Sequence, residues 1–236
     1  MGSGSDPTAK YSQADRLLKI KTNLPDDDLM LERFSGDETL SKPYAFQLTL
    51  VSANKSLDMK SLLRTPATVT IIQSDGTERY FNGVFSTFTQ GAQNPPSTPN
   101  TPNTGKTGKT GTSNSDDELA VYNATLVPKF TFLKLDSDCK ISQNMTVPAI
   151  VEKVLKDKGI TDYSFRLNGT YPTRDYCVQY RENSHDYISR LLEEEGIFYF
   201  FEHTDSKHTM VFADKSSVQP SCPGHATATF SSGRGG

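Results

Sequence analysis

The chain has 236 residues, with 25 Lys and Arg against 28 Asp and Glu, which gives a formal net charge of −3. No stretch approaches the roughly 20 consecutive apolar residues of a membrane-spanning helix, which argues against an integral membrane protein and against direct membrane insertion. The slight excess of acidic residues argues against a nucleic-acid-binding protein. The N-terminal segment lacks the apolar core of a secretory leader, so we expect no signal peptide and a cytoplasmic location.

Apolar residues make up only 34% of the chain, and one segment accounts for much of the shortfall. Residues 91–117 contain Ala92 as their only apolar residue, so they have nothing to bury and are predicted to form a low-complexity surface loop. Their GKTGKT string resembles a phosphate-binding loop. That motif requires an earlier glycine where this chain has Asn100 or Asn103, so no nucleotide site is expected.

Residues 16–135 are predicted to form an antiparallel β domain after a flexible N-terminus at 1–15. Short apolar–polar alternation, typical of strands, recurs through this part, with a helical turn at 58–63 and a hairpin turn at Ser74-Asp75-Gly76. The loop 91–117 joins two strands and is expected at the tip of an extended hairpin. The pattern favours a barrel or a sandwich. The predicted strands lie at 18–22, 29–33, 44–51, 67–73, 78–88 and 118–131.

Residues 136–214 are predicted to form a smaller α+β subdomain with two helices. The first helix has Thr146 as its N-cap and ends at Gly159, whereas the second begins at Ser184 as its cap and ends at Gly196. The fold class of the whole chain is therefore α+β, with mostly antiparallel β structure. Strands in this part are predicted at 163–167, 177–180, 197–201 and 210–213.

Several clusters carry residue types that are used in catalysis or metal binding, but none has the required arrangement. Adjacent residues on a helix point about 100° apart, so consecutive side chains do not converge and do not form a catalytic relay. The three consecutive glutamates are therefore expected to form a solvated helix end. Two histidines on a hairpin lack a third metal ligand. We therefore predict no catalytic, cofactor-binding or metal-binding residues. The clusters are Asp26-Asp27-Asp28, Ser184-His185-Asp186, Glu193-Glu194-Glu195, and His203 with Asp205 and His208.

The three cysteines, Cys139, Cys177 and Cys222, contain no CxxC pair. An odd number of cysteines at this spacing fits neither a disulfide framework nor a zinc site. We therefore expect reduced thiols, as in a cytosolic fold.

Residues 197–201, with the sequence IFYFF, are apolar at every position. A strand that is apolar on both faces has to be covered on both sides, either within a core or at a subunit interface. The sequence leaves both alternatives open.

Several motifs together resemble the N-terminal hub region of the VgrG family, the tip or spike proteins of type VI secretion, which is itself similar to phage tail baseplate hub proteins. The similarity covers roughly residues 16–224, and its longest part is specific because it extends over more than one element. The matching motifs are RFSGDE at 33–38, PYAF at 43–46, FNGV at 81–84, TVP at 146–148, YPTRDYCVQYRE at 171–182, SRLLEEEGIFYFFEH at 189–203 and HTMVFAD at 208–214.

This resemblance implies a tube-like β-barrel and a non-enzymatic assembly protein. It implies a homotrimer that caps the hexameric Hcp tube, contacts baseplate components and carries effector proteins. Such a protein is assembled in the cytoplasm and then exported by contractile injection. No cofactor is implied.

The chain is expected to end in a tail at 215–236, before the second hub barrel, the neck and the needle of the family. Two alternatives stay open from the sequence. One is a phage tail baseplate hub protein, and the other is the N-terminal part of an effector-bearing tip protein whose enzymatic domain lies downstream.

Overall fold

The structure, a computed structural model, describes residues 11–91 and 119–218. In the first part of the chain, six strands form one sheet in which all neighbouring pairs are antiparallel. The elements are β1 (Leu18–Lys21), β2 (Met30–Ser35), β3 (Phe46–Ser52), α1 (Met59–Leu62), β4 (Pro66–Ile72), β5 (Glu78–Gln90) and β6 (Ala120–Val127). The strand order β1-β4-β5-β6-β3-β2 gives a nearly closed barrel, which confirms the predicted fold class.

Both predicted hairpins are present in the barrel. The β4–β5 turn has Gly76 at φ 81°, a backbone conformation that glycine adopts without steric cost. Strands β5 and β6 pair as far as Gln90 opposite Tyr122, and the Gly91 N–H donates to the Val121 carbonyl at 2.8 Å. The GKTGKT string and most of the predicted loop 91–117 lie outside the described residues.

The barrel interior is filled by alternate residues of its strands. In β3, Phe46, Leu48 and Leu50 are buried while Gln47 is exposed, as expected for a strand with one face on a core. Fully burying one such side chain contributes about 1.5–3 kcal/mol. The largest barrel residues in this core are Tyr44, Phe46, Phe81, Phe85, Phe88 and Tyr122.

A glutamine side chain bridges β1 and the turn before β2. The Gln13 side chain accepts from the Ile20 N–H at 2.9 Å and donates to the Ile20 carbonyl at 2.9 Å and to the Leu29 carbonyl at 3.5 Å. The Gln13 N–H also donates to Asp27 at 2.9 Å. Gln13 belongs to the segment expected as a flexible N-terminus, and here it forms the seam between β1 and the turn before β2.

The second part of the chain contains two small sheets and two longer helices. Its elements are a 3₁₀ helix (Lys129–Leu135), β7 (Asp138–Ser142), α2 (Val147–Asp157), β8 (Tyr163–Arg166), β9 (Cys177–Glu182), α3 (Ser184–Glu194), β10 (Phe198–His203), β11 (His208–Ala213) and a 3₁₀ turn (Ser216–Val218). One sheet has the order β10-β11-β8, with β8 parallel to β11, and the other pairs β7 with β9. Helices α2 and α3 pack their apolar faces into one core with Tyr199 and Phe212.

Two sequence predictions, one for the barrel and one for the second part of the chain, are wrong in detail. The strand expected at 118–131 ends at Val127, because Pro128 has no N–H for the ladder, and a 3₁₀ helix follows. The N-cap of α3 is Asn183, whose side chain accepts from the Asp186 N–H at 2.8 Å, and not Ser184. Ser184 instead donates its N–H and hydroxyl to Asp136 at 2.8 and 2.7 Å.

The predicted limits of α2 are confirmed. Thr146 caps the helix by accepting from the Ala149 N–H, and Gly159 follows it at φ 71°. Glu152 and Lys156, four residues apart on this helix, form an ion pair with Nζ and Oε1 2.8 Å apart. In the described residues, no helix is long and apolar enough to span a bilayer, and α2 and α3 have 11 residues each.

We predict that Gln13→Ala lowers the free energy of unfolding by about 1–2 kcal/mol, because it removes the side-chain bonds that join β1 to the segment before β2. Urea unfolding followed by circular dichroism measures the change. Gln90→Ala, which removes a glutamine with one exposed bond to the Lys55 carbonyl, is the matched control and should stay within about 0.5 kcal/mol. Equal effects of both substitutions would contradict the stabilising role of the Gln13 side chain.

Candidate functional site

Asn82, in the middle of β5, connects the barrel to the β10–β11 hairpin. Its backbone N–H donates to His203 Nδ1 at 3.0 Å, and its side-chain oxygen lies 2.8 Å from His208 Nδ1. Its side-chain nitrogen donates to Thr68 Oγ1 at 2.8 Å, and its carbonyl accepts from the Tyr44 hydroxyl at 2.6 Å. Every polar group of a residue that is only 3% exposed is therefore bonded. We call these five residues the junction.

The hydrogen bonds assign the tautomers of both junction histidines. His208 Nε2 accepts from the Lys129 N–H at 3.2 Å, so Nδ1 carries the proton and donates to Asn82. His203 Nδ1 accepts from Asn82, so Nε2 donates to Glu38 Oε1 at 2.9 Å. The two histidines pair directly across the hairpin, as the sequence suggested, but all four ring nitrogens are engaged. In residues 11–91 and 119–218, no cluster of His, Cys, Asp or Glu could hold a metal ion.

Burial shifts the pKa values of two junction residues, His208 and Tyr44. Desolvation, reinforced by the nearby His203 and Lys129, lowers the pKa of His208 to about 4. Burial also raises the pKa of Tyr44 well above its usual value, with Glu38 adding to the shift. Both groups are consequently uncharged at neutral pH.

Aromatic rings continue the junction into both cores. The Tyr44 ring stacks on Phe46 with centroids 4.4 Å apart and meets the edge of Phe201 at 5.0 Å. Phe201 in turn packs against both the barrel core and the α2–α3 core. The Thr68 hydroxyl adds a bond to the Asp205 carbonyl in the hairpin turn at 2.9 Å. Edge-on aromatic pairs of this kind add about 0.5–1.5 kcal/mol beyond the area that they bury.

The acidic helix end differs from the solvated end that the sequence predicted. Glu194 and Glu195 converge on Arg174, with nitrogen–oxygen distances of 2.7 and 2.6 Å. They can converge because the Arg174 guanidinium offers two separate nitrogens, Nη1 to Glu194 and Nη2 to Glu195. These carboxylates fix the loop before β9 by an ion pair.

The consecutive residues Ser184, His185 and Asp186 do not form a catalytic relay. The serine hydroxyl donates to Asp136, while His185 Nδ1 lies 2.9 Å from the neighbouring Asp186 carboxylate. In the acidic string at 26–28, Asp27 accepts from the Gln13 N–H and stabilises the seam. Cys139 and Cys177 are free thiols, whereas Cys222 lies outside the described residues.

Strand β10 presents an aromatic surface at the edge of its sheet. Tyr199 is buried, whereas Phe198 and Phe200 on the other face are half-buried, with ring centroids 6.5 Å apart. On the edge of β10 that faces away from β11, the Tyr199 carbonyl accepts from the Ser41 N–H at 2.8 Å. We call Phe198 and Phe200 the aromatic face. Of the run that the sequence expected to be covered on both sides, this chain buries Ile197 and Tyr199 and leaves Phe198, Phe200 and Phe201 half-buried.

Sequence reasoning missed Asn82 as the central residue, although a signal was present. The run 81–85 in β5 is buried at every position, because alternate residues face the barrel core while Asn82 and Val84 face the second part of the chain. A continuous buried run of this kind is typical of a strand covered on both faces. A polar residue within such a run needs buried partners.

We predict that Asn82→Ala lowers the free energy of unfolding by about 2–4 kcal/mol, because it leaves the His208 and Thr68 groups buried without their partner. Thermal and urea unfolding measure the loss. Asn123→Ala, in the neighbouring β6 but exposed, is the control and should cost less than about 0.5 kcal/mol. A small effect of Asn82→Ala would contradict the role of the junction.

The lowered pKa of His208 predicts a loss of stability in acid. The unfolded chain binds a proton near pH 6.5 and the folded chain only near pH 4, so this group removes up to about 3 kcal/mol as pH falls through that window. Urea unfolding at several pH values should show this loss in the native sequence. His208→Gln should remove it, whereas the control His185→Gln should retain it.

Comparison with known proteins relates this chain to type VI secretion spike proteins. The type VI secretion system spike protein VgrG1b of Pseudomonas aeruginosa is 35% identical over 219 residues, which cover 93% of this chain and 27% of that protein. The spike protein VgrG3 of Vibrio cholerae is 31% identical over 212 residues, covering 86% of this chain and 19% of that protein. The matched part of the chain thus spans about a quarter and about a fifth of the length of these two relatives.

A solved structure gives the same relationship. The E. coli c3393 protein, described as a component of the type VI secretion system with structural similarity to the T4 tail proteins gp27 and gp5, matches with a TM-score of 0.66 and 26% identity. The match covers 85% of this chain and 49% of that one. The family model for the phage tail baseplate hub (GPD) matches residues 37–236. The predicted resemblance is confirmed, and the chain belongs to the phage tail baseplate hub family, with type VI secretion spike proteins among its relatives.

Proposed function

We propose that this chain is the hub segment of a type VI secretion spike, which acts by assembly and not by catalysis. In this role it forms a homotrimer, caps an Hcp-like hexameric tube and is exported with effector proteins when the machine contracts. The support is the family match over 37–236 together with the spike proteins that are similar over most of the chain.

The aromatic face of β10 is the observation that carries the assembly proposal. Phe198 and Phe200 are neighbouring rings on an edge strand, and both are left half-buried by this chain. Aromatic residues are enriched at protein interfaces, where burial of the remaining surface stabilises association. An edge strand is also a site at which another chain can pair or pack. A neighbouring subunit that covers this face would complete it.

The chemistry of the described residues supports a structural role. The junction histidines are occupied by hydrogen bonds, and the acidic cluster of α3 is paired with Arg174. These polar groups hold parts of the chain together and leave no relay of nucleophile and base among them. A rigid shape presented to neighbouring subunits suits a hub whose task is to transmit force.

Sedimentation equilibrium of the full chain tests the proposal. The expected result is a concentration-dependent species with three times the 26.1 kDa chain mass. Phe200→Asp should weaken association by about tenfold or more, because it places a charge in the proposed interface. Leu17→Asp, at a residue that is 67% exposed in the barrel, should leave association unchanged.

Circular dichroism of Phe200→Asp establishes that the variant is folded. A folded native chain that stays monomeric at all concentrations would contradict trimerisation of this segment. Binding of purified Hcp hexamers to the trimer, measured by the same method, tests the docking step separately.

A further inference from the structure

A groove lies where the outer face of the barrel meets the 3₁₀ helix and the end of α2. It has a volume of about 440 Å³, within the range of about 300–1,000 Å³ that is typical of ligand sites. Its floor is apolar, because Val84, Leu133 and Ile160 line it and are each less than 10% exposed. Leu135, which is 72% exposed, extends the apolar surface beyond the groove onto its rim. This shape suits an extended chain segment better than an enclosed small molecule.

The rim of the groove carries an excess of positive charge. Arg64, Lys129 and Lys158 line it, against Asp136 as the one carboxylate among its lining residues. Lys158 is paired with Asp136 at 2.6 Å, and Lys129 lies 3.6 Å from Asp162. The Arg64 guanidinium stacks over the Phe132 ring at 5.3 Å from its centroid, and within the described residues it makes no ion pair. Its charge is therefore available to a ligand.

Arg64 is held at the groove in a costly backbone conformation. Its φ is 63°, in the left-handed region that side-chain-bearing residues rarely adopt. Two backbone hydrogen bonds to Phe85 hold this segment in place. The Arg64 N–H donates to the Phe85 carbonyl at 2.8 Å, and the Thr65 carbonyl accepts from the Phe85 N–H at 3.1 Å. Glycine would adopt this conformation without the cost. An arginine with strained backbone beside a cavity is a pattern associated with binding sites.

We propose that this groove binds an acidic peptide segment of a partner protein, with an aliphatic or aromatic side chain on the Val84–Leu133–Ile160 floor and a carboxylate at Arg64. Charge complementarity selects this occupant, because an apolar floor within a cationic rim accommodates an apolar anchor flanked by negative charge. Arginine also binds carboxylates in a bidentate geometry. The proposal goes beyond trimer formation, because the groove and the aromatic face contain different residues.

Fluorescence anisotropy with the full chain tests the groove. The probe is a labelled, terminally blocked hexapeptide Asp-Glu-Leu-Phe-Asp-Glu, with an expected dissociation constant of about 10–100 µM at low salt. Binding should weaken as NaCl is raised from about 0.05 M to about 0.5 M. Two peptides serve as comparisons: one with lysine at the four acidic positions, and hexa-aspartate, which has no apolar anchor. Both should bind at least about tenfold more weakly.

Two pairs of variants locate the site. Arg64→Gly removes the guanidinium while keeping a residue suited to φ 63°, and Leu135→Ser removes the exposed apolar rim. Each should weaken binding by about tenfold. The controls Lys134→Ala, on the same 3₁₀ helix, and Leu17→Ser, equally exposed on the barrel, should have no effect. Thermal unfolding of each variant establishes that it is folded.

Three results would overturn the proposal. These are no binding at about 1 mM peptide, equal binding of hexa-aspartate or of the lysine peptide, and binding that Arg64→Gly and Leu135→Ser leave unchanged. Anisotropy reports peptide binding by monomers and trimers alike. A monomeric chain that binds the acidic peptide therefore contradicts only trimer formation, and a trimer that does not bind it contradicts only the groove.

Discussion

The buried amide of Asn82 fixes how the barrel and the β10–β11 hairpin lie against each other. Its four polar groups are bonded to residues from both parts, including His203 and His208 in the hairpin. Because water does not reach this position, shifting one part against the other would leave several buried donors and acceptors unpaired, at about 1–3 kcal/mol each. The arrangement therefore has one favourable geometry, and small displacements are penalised. Rings of Tyr44 and Phe201 extend the same constraint into both cores.

This constraint places β5 between two layers. One side of the strand faces the barrel core through Phe81 and Phe85, and the other faces the hairpin and the groove through Asn82 and Val84. Gly83 lies between them, and a Cβ there would come within 3.1 Å of Leu126 Cβ and of the Val127 carbonyl in β6. The FNGV motif thus combines close strand packing with the junction. A rigid β5 in turn fixes both the aromatic face and the groove relative to the barrel.

Local signals in the sequence were enough to predict most elements. The cap Thr146, the apolar stripe of α2 and Gly159 define a helix without reference to the rest of the chain, and the β4–β5 turn is similarly local. The junction was not predicted, because His203 and His208 are 121 and 126 residues from Asn82 in the chain. The wrong cap of α3 has a related cause, since Ser184 bonds to Asp136, 48 residues earlier. Such partners follow from the tertiary fold and not from spacing.

The β5–β6 hairpin has a practical consequence for engineering. The chain leaves the barrel at Gly91 and returns at the start of β6, where the Gly91 N–H is bonded to the Val121 carbonyl. The backbone hydrogen bonds between β5 and β6 thus hold the two ends of any insert at this point side by side. The entropy of closing such a loop grows only with the logarithm of its length, by about 0.6 kcal/mol for each doubling. A fluorescent protein or an affinity tag could therefore replace the polar residues between these strands, giving a way to follow the hub without altering the barrel.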